Sequence, residues 1–316
     1  MSKAGVDAYC EDLGNGIVCI DANYVAPGMA CFYLLEAVGE YALIETGTSR
    51  SVENLQRLLG ARGIAAEQIR YIIPTHVHLD HAGGAGLMMQ CFPGAQLLVH
   101  PRGERHMADP ERLVTASRAV YGDELFADLY GEVLPVPAAR ILAMHDGDSV
   151  QLGDRRLEFR HTPGHALHHF CVWDAQSRGW FSGDMFGLCY AWCRFPGGDL
   201  VLPSTTPTQF DPEAYLASLT LLHSYAPRQM YLTHYGAIDY HPEKSRMLAS
   251  QIATYRALAM AHESDAALEA ALADDAVRRA AALGCRYSAG ELGEKLVFDV
   301  QLNTQGLRDW QRRLQA

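Results

Sequence analysis

The chain has 316 residues, 49% hydrophobic and 20% charged, enough to bury a sizeable core and too apolar to stay disordered. That length suits about two domains, or one large domain with an appendage. With 26 Lys and Arg against 37 Asp and Glu the formal charge is −11, which argues against a protein that grips nucleic acid through clustered cations.

The opening residues carry no apolar signal stretch before Asp7, Glu11 and Asp12. No apolar run approaches the roughly 20 residues of a membrane helix. The expectation is a cytoplasmic protein with no membrane partner. Its eight cysteines include no Cys-x-x-Cys pair and read as reduced, mostly buried thiols.

The first part reads as strands: Gly16–Asp21, Cys31–Ala37 and Tyr41–Ile44, the last two joined as a hairpin at Gly39-Glu40. Ser51–Gly60 reads as a helix, with Val52, Leu55, Leu58 and Leu59 on one face and Gly60 as its stop. Gln68–Pro74 is a buried strand, Ala82–Gln90 a helix of small residues, Gln96–His100 a strand, and Met107–Gly131 a helix. From Ile141 strands return, at Ser149–Leu152, Leu157–Arg160, His169–Trp173 and Gly179–Ser182. Pro212–Tyr225 is a helix and Gln229–Thr233 a strand. Beyond about residue 241 only helices follow: His241–His262, Asp265–Gly284, Gly290–Leu302 and Leu307–Ala316. The pattern is a layered α/β body with a helical C-terminal extension. The Ala-rich tail helices would either mediate a homodimer or cover the body.

The densest chemical signal is Thr75-His76-Val77-His78-Leu79-Asp80-His81-Ala82-Gly83-Gly84. Four potential metal ligands fall within six residues, directly after an apolar strand. In an extended segment alternate side chains share a side, so His76 and His78 converge. Asp80 and His81 then lie where the chain turns toward the next helix. Imidazole with carboxylate suits zinc, iron or manganese. The competing reading is a surface histidine cluster with Asp80 as a helix N-cap.

Three further strands end in a candidate ligand: His161-Thr162-Pro163-Gly164-His165, Phe181-Ser182-Gly183-Asp184 and Tyr231-Leu232-Thr233-His234. Each alone is weak, since Gly-Asp is usually a turn. The ordered set of four is strong. It resembles the metallo-β-lactamase superfamily, whose hallmark is His-x-His-x-Asp-His followed in order by His, Asp and His. The resemblance runs over residues 10 to 240 and implies a four-layer αββα sandwich. Residues 1–240 would then be the catalytic domain, and residues 241–316 a helical extension packed on it. By the same resemblance His76, His78 and His165 hold one metal and Asp80, His81 and His234 a second, with Asp184 bridging them. The cofactor expected is two divalent ions, zinc foremost, with iron or manganese as alternatives. Two adjacent dications favour a metal-bridging hydroxide that attacks an ester-like bond in a small-molecule substrate. Asp80 has a possible second role as the catalytic group that orients this nucleophile.

Within the superfamily the Thr162-Pro163-Gly164-His165 and Gly183-Asp184 segments look toward glyoxalase II-like hydrolases. The sequence departs from that group at Ala166-Leu167-His168-His169 and at Met185-Phe186-Gly187. It has no clear match for the basic residues that grip glutathione, although Lys244 and Arg246 lie in the tail. Thioesters, lactones and other esters therefore come first as substrates. Phosphodiesters come second, and RNA fits poorly with the charge. The alternative is a sulfur (persulfide) dioxygenase using a single iron on His76, His165 and Asp184. His78 stands where diiron redox members usually carry Glu. Tyr190 and Tyr235 are candidate substrate contacts, His168 and His169 are read as structural, and Glu45-Thr46-Gly47 as packing under the metal loop.

Overall fold

The strands of the first half carry apolar side chains on both faces, so they read as continuous runs and need cover on both sides. In the computed structural model, which describes residues 9–206 and 208–315, they form a seven-stranded sheet. Its order is β1 (Cys10–Asp12), β2 (Ile17–Asp21), β3 (Cys31–Ala37), β4 (Glu40–Ile44), β5 (Ile69–Ile73), β6 (Gln96–Val99) and β7 (Ile141–Ala143). The first four strands are antiparallel, and β4 to β7 are parallel. A second sheet of six strands contains β8 (Ser149–Leu152), β9 (Arg155–His161), β10 (Phe170–Asp174), β11 (Gly179–Gly183), β14 (Gln229–Leu232) and β15 (Gly236–Asp239). A short ribbon joins β12 (Arg194–Phe195) to β13 (Gly198–Asp199).

The helices are α1 (Ser51–Arg62), α2 (Leu79–Ala82), α3 (Ala85–Cys91), α4 (Glu104–Ala108), α5 (Glu111–Tyr121), α6 (Asp123–Tyr130), α7 (Pro212–Ser224), α8 (Pro242–Ala261), α9 (Asp265–Ala282) and α10 (Ala289–Gln315). Three cores define the layers. On β3, Phe32 and Leu34 face α1, α3 and α6, while Cys31, Tyr33 and Leu35 face the second sheet. On β10 and β11, Phe170, Val172 and Phe181 meet them between the sheets. Cys171 and Trp180 face outward onto α7 to α10. The result is the αββα sandwich, with the C-terminal helices in its outer layer. No helix among the described residues is long and apolar enough to cross a membrane.

The element boundaries differ from the sequence reading where tertiary contacts decide them. Helix α1 runs past Gly60 to a left-handed cap at Gly63, whose φ is 66°. The expected helix Ala82–Gln90 is broken at Gly83-Gly84, where the Gly84 amide bonds the Gly47 carbonyl at 2.9 Å outside the helix, an approach so close that a Cβ on Gly84 would lie 2.6 Å from the Thr48 carbonyl oxygen. Met107–Gly131 is three pieces, α4 to α6, with breaks at Asp109-Pro110 and at Gly122, whose φ is 76°. The two expected tail helices are one, α10. Weak helix formers Asn303 and Gly306 sit inside it because both meet the Pro203–Thr206 segment. Strand β15 was not anticipated.

Strand direction sets where chemistry collects. Strands β9, β11 and β14 run one way, since β10 is antiparallel to β9 and β11, and β11 pairs parallel with β14. Their ends deliver the loops bearing His165, Asp184 and His234. Strands β4 and β5 end beside them, at Glu45 and Thr75. The opposite end is closed by a buried ion pair. Arg155 Nε and Nη2 bond both Asp174 oxygens at 2.9 and 2.5 Å, and its Nη1 reaches the carbonyls of Asn15 and Glu36 in the other sheet.

Candidate metal centre

Five strand ends converge on one buried cluster. His76 and His78 follow β5 on a bent segment, with Val77 between them facing the helical layer. The His78 Nδ1 lies 2.9 Å from His76 Nε2 and 3.1 Å from His165 Nε2. These three nitrogens form one candidate ligand group. Asp80 and His81 lie in the short helix α2. His234 Nε2 is 3.2 Å from Asp80 Oδ2, and His81 Nε2 is 3.6 Å from that same oxygen. These form a second group. Asp184 lies between the two. Its Oδ1 is 3.3 Å from His81 Nε2 and 3.7 Å from His234 Nε2, and its Oδ2 is 3.5 Å from His165 Nε2.

Outer partners fix which nitrogen of each ring faces the centre. His81 Nδ1 meets Glu45 Oε1 at 3.1 Å, His165 Nδ1 the Ser204 carbonyl at 3.2 Å, and His234 Nδ1 the Met29 carbonyl at 2.9 Å. A ring nitrogen that donates outward leaves the other with its lone pair inward. Glu45 is the hub beneath. Besides His81, it accepts from the Thr75 backbone at 3.0 Å, the Thr75 hydroxyl at 2.5 Å and the Thr233 hydroxyl at 3.0 Å. It does so in a left-handed backbone at φ 67°, a conformation that costs a non-glycine residue about 1–2 kcal/mol. The carboxylate thus ties together the strand ends that precede His76 and His234.

The two ligand groups differ in charge. Burial, reinforced by neighbouring imidazoles, holds His76 far below the usual histidine range and His78 at about 3, so that set is neutral. Burial opposes a charge on His234 as well, but the Asp184 carboxylate and the bond to Asp80 raise it to about 9. Burial would raise Asp80, yet His81 and His234 hold it at about 2.

A divalent cation fits this donor set. His81 Nε2 and Asp184 Oδ1 are buried and have no hydrogen-bond partner, an arrangement that costs stability unless something else takes their lone pairs. Imidazoles and carboxylates aimed at a common point are what zinc, iron or manganese accept, with the ring protons that face the point given up on binding.

Residues 26–234 match the family described as the metallo-beta-lactamase superfamily. The chain belongs to that superfamily. It is 24% identical over 217 residues to the metallo-beta-lactamase fold-containing protein ST1585 of Sulfurisphaera tokodaii, covering 67% of this chain and 75% of that one. It is 29% identical over 187 residues to the acyl-coenzyme A thioesterase MBLAC2 of Bos taurus, covering 55% of this chain and 65% of the relative. Among solved structures, a metallo-beta-lactamase family protein from Thermus thermophilus, TTHA1429, aligns with a TM-score of 0.68 at 20% identity over 96% of each chain. An alignment that wide has to include most of residues 241–316, so the outer helices belong to the shared fold.

Every one of the seven ligand positions read from the sequence lies in this cluster. The two tyrosines sit differently. Tyr190 is buried with its ring against that of His234, centroids 6.1 Å apart, and its hydroxyl donates to Asp299 of α10 at 2.7 Å. Tyr235 packs with the core between the sheets, and its surroundings there are Cys19, Cys31 and Asp21. His168 faces His76, rings parallel within 12° at 6.1 Å. Lys244 and Arg246 are engaged by Asp199 and Glu243. Sequence reading missed Ser204, Asn303 and Asp299. They lie on an irregular segment and in a helix, with no spacing signal that marks them.

Proposed function

We propose that this superfamily member is a dinuclear metal-dependent hydrolase that cleaves a thioester or a similar small ester. The observation that carries the reading is the Asp184 carboxylate, with one oxygen toward each ligand group and one of them unpartnered. In this reading His76, His78 and His165 would hold one ion and Asp80, His81 and His234 the other, and Asp184 would serve both. The ions, zinc in the first place, supply an activated water and a Lewis acid for the substrate oxygen. The residues do the rest. Glu45, Ser204 and the Met29 carbonyl orient the rings. Asp80, ionised and partly buried, would orient the attacking water. The thioesterase relative supports a thioester as the scissile group, while the −11 charge disfavours RNA.

A persulfide dioxygenase would need only His76, His165 and Asp184. Because that class keeps the same ligand residues, what favours hydrolysis is the thioesterase relative and not the ligand set. The test is to load the protein with zinc and screen acyl thioesters, lactones and phosphodiesters. Thioester or lactone turnover abolished by Asp184→Asn is the expected result. Oxygen uptake with a persulfide on an iron-loaded protein, with no hydrolysis of any ester, would contradict the proposal.

A further inference from the structure

We propose that Asn303 of α10, outside the family-matched residues, is a positioning residue for the metal centre, acting through the Pro203–Thr206 segment. The inference rests on the reading of His165 and Asp184 as metal ligands. Asn303 is buried, 6% exposed. Its Oδ1 accepts from the Thr205 backbone at 2.7 Å and from the Thr205 hydroxyl at 2.8 Å. Its Nδ2 donates to the Pro203 carbonyl at 3.3 Å. One side chain therefore clamps both residues flanking Ser204. A turn later Gly306 lets the helix seat against the same segment, since a Cβ there would fall 1.4 Å from the Thr205 carbonyl oxygen.

The clamped segment touches the centre at three points. The Ser204 carbonyl takes His165 Nδ1, the Ser204 hydroxyl donates to Asp184 Oδ2 at 3.3 Å, and the Thr206 hydroxyl lies 3.3 Å from His165 Nδ1. His165 and Asp184 are the ligands through which the two groups meet. Residues 203–206 form neither helix nor strand, so backbone ladders do not hold them. Their placement depends on Asn303. Partners of this outer kind typically change metal affinity by about 10–100-fold when removed. Coupling between two sites is reciprocal, so metal occupancy must also tighten the seat of α10.

The matched control is Gln251 of α8. It is equally buried, and its Nε2 donates to the Val201 carbonyl at 2.9 Å, just before the clamped segment. If Asn303 only helps the helices pack, Asn303→Ala and Gln251→Ala should both lower the melting temperature and leave zinc affinity alone. If it positions the centre, Asn303→Ala lowers zinc affinity by about 10–100-fold in chelator competition, and Gln251→Ala stays at the wild-type value. Equal zinc affinity in the two variants overturns the proposal. Should Asn303→Ala fail to fold, wild-type hydrogen exchange decides. Zinc should slow exchange of the Thr205 amide, which bonds Asn303, relative to the Leu202 amide, which bonds the Leu188 carbonyl. An unchanged ratio overturns it. A wild-type protein that binds no zinc would instead remove the metal-centre reading on which this rests.

Discussion

The sandwich holds two buried ionic clusters at opposite ends of the same strands, and they are built on opposite rules. At the Arg155–Asp174 end every charge is answered. The carboxylate takes both arms of the guanidinium, the Ser177 amide and hydroxyl and the Gln176 amide, and the guanidinium also reaches two carbonyls. At the Asp184 end the outward faces of the rings are satisfied with equal care, but inward atoms are left bare. A closed cluster fastens two sheets together. An open one, firmly supported from behind, is a receptor for a cation. Burial alone would not tell the two apart, whereas the direction of the unpaired atoms does.

The sharpest way to break this contrast is to remove one charged group from each end. Asp184→Asn should abolish hydrolysis and bound metal together while the protein stays folded. Arg155→Met should do the reverse. Losing one partner of a buried pair costs about 3–5 kcal/mol, read as a lower denaturation midpoint, with metal content per folded chain unchanged. If Arg155→Met lost metal at full stability, the two ends would not be separate devices. Glu45→Gln tests the support beneath the open cluster. It should lower metal affinity by about 10–100-fold without removing a ligand, measured by chelator competition.

Protons sharpen the comparison further. On the protein's own charges His234 is raised from an ordinary value of 6.5 to about 9. Metal must displace that proton, so zinc uptake below pH 9 should release protons, and apparent affinity should climb with pH and level off near 9. Calorimetry in buffers of different ionisation enthalpy checks it. The sign for stability is the opposite. A raised histidine contributes to the metal-free fold fully below the unfolded value near 6.5, and that contribution fades as pH rises through about 9. The smallest effect expected is that of His168→Ala. This residue lies parallel to the His76 ring without bonding its nitrogens, so both metals should remain, with a loss of affinity below the roughly 10–100-fold of directly bonded outer partners. Loss of a full equivalent would make it a ligand.

Much of this was legible from residue spacing. His76 and His78 share one side of the chain with Val77 on the other, and four strand-end segments in order pointed to the fold and to the residues of the cluster. The layered α/β body was legible in the order of strands and helices, and the sandwich was what the resemblance of the ligand motif implied. What the sequence concealed depends on approach between distant segments. Gly306 looks like a helix break, and becomes a contact only once Thr205 lies against it. Asn303 and Asp299 carry no local pattern, because the groups they bond lie about a hundred residues away. Glu45 was visible as a strand end, but its four bonds go to three residues on two distant segments, Thr75 and His81 after β5 and Thr233 after β14.

The most direct test of the account is metal content per chain by elemental analysis, on protein purified without added metal, for the wild type and for Asp184→Asn. The dinuclear reading predicts two divalent ions, chiefly zinc, in the wild type and a marked loss in the variant. A single equivalent of iron in the wild type, or two ions retained after Asp184→Asn, would contradict it.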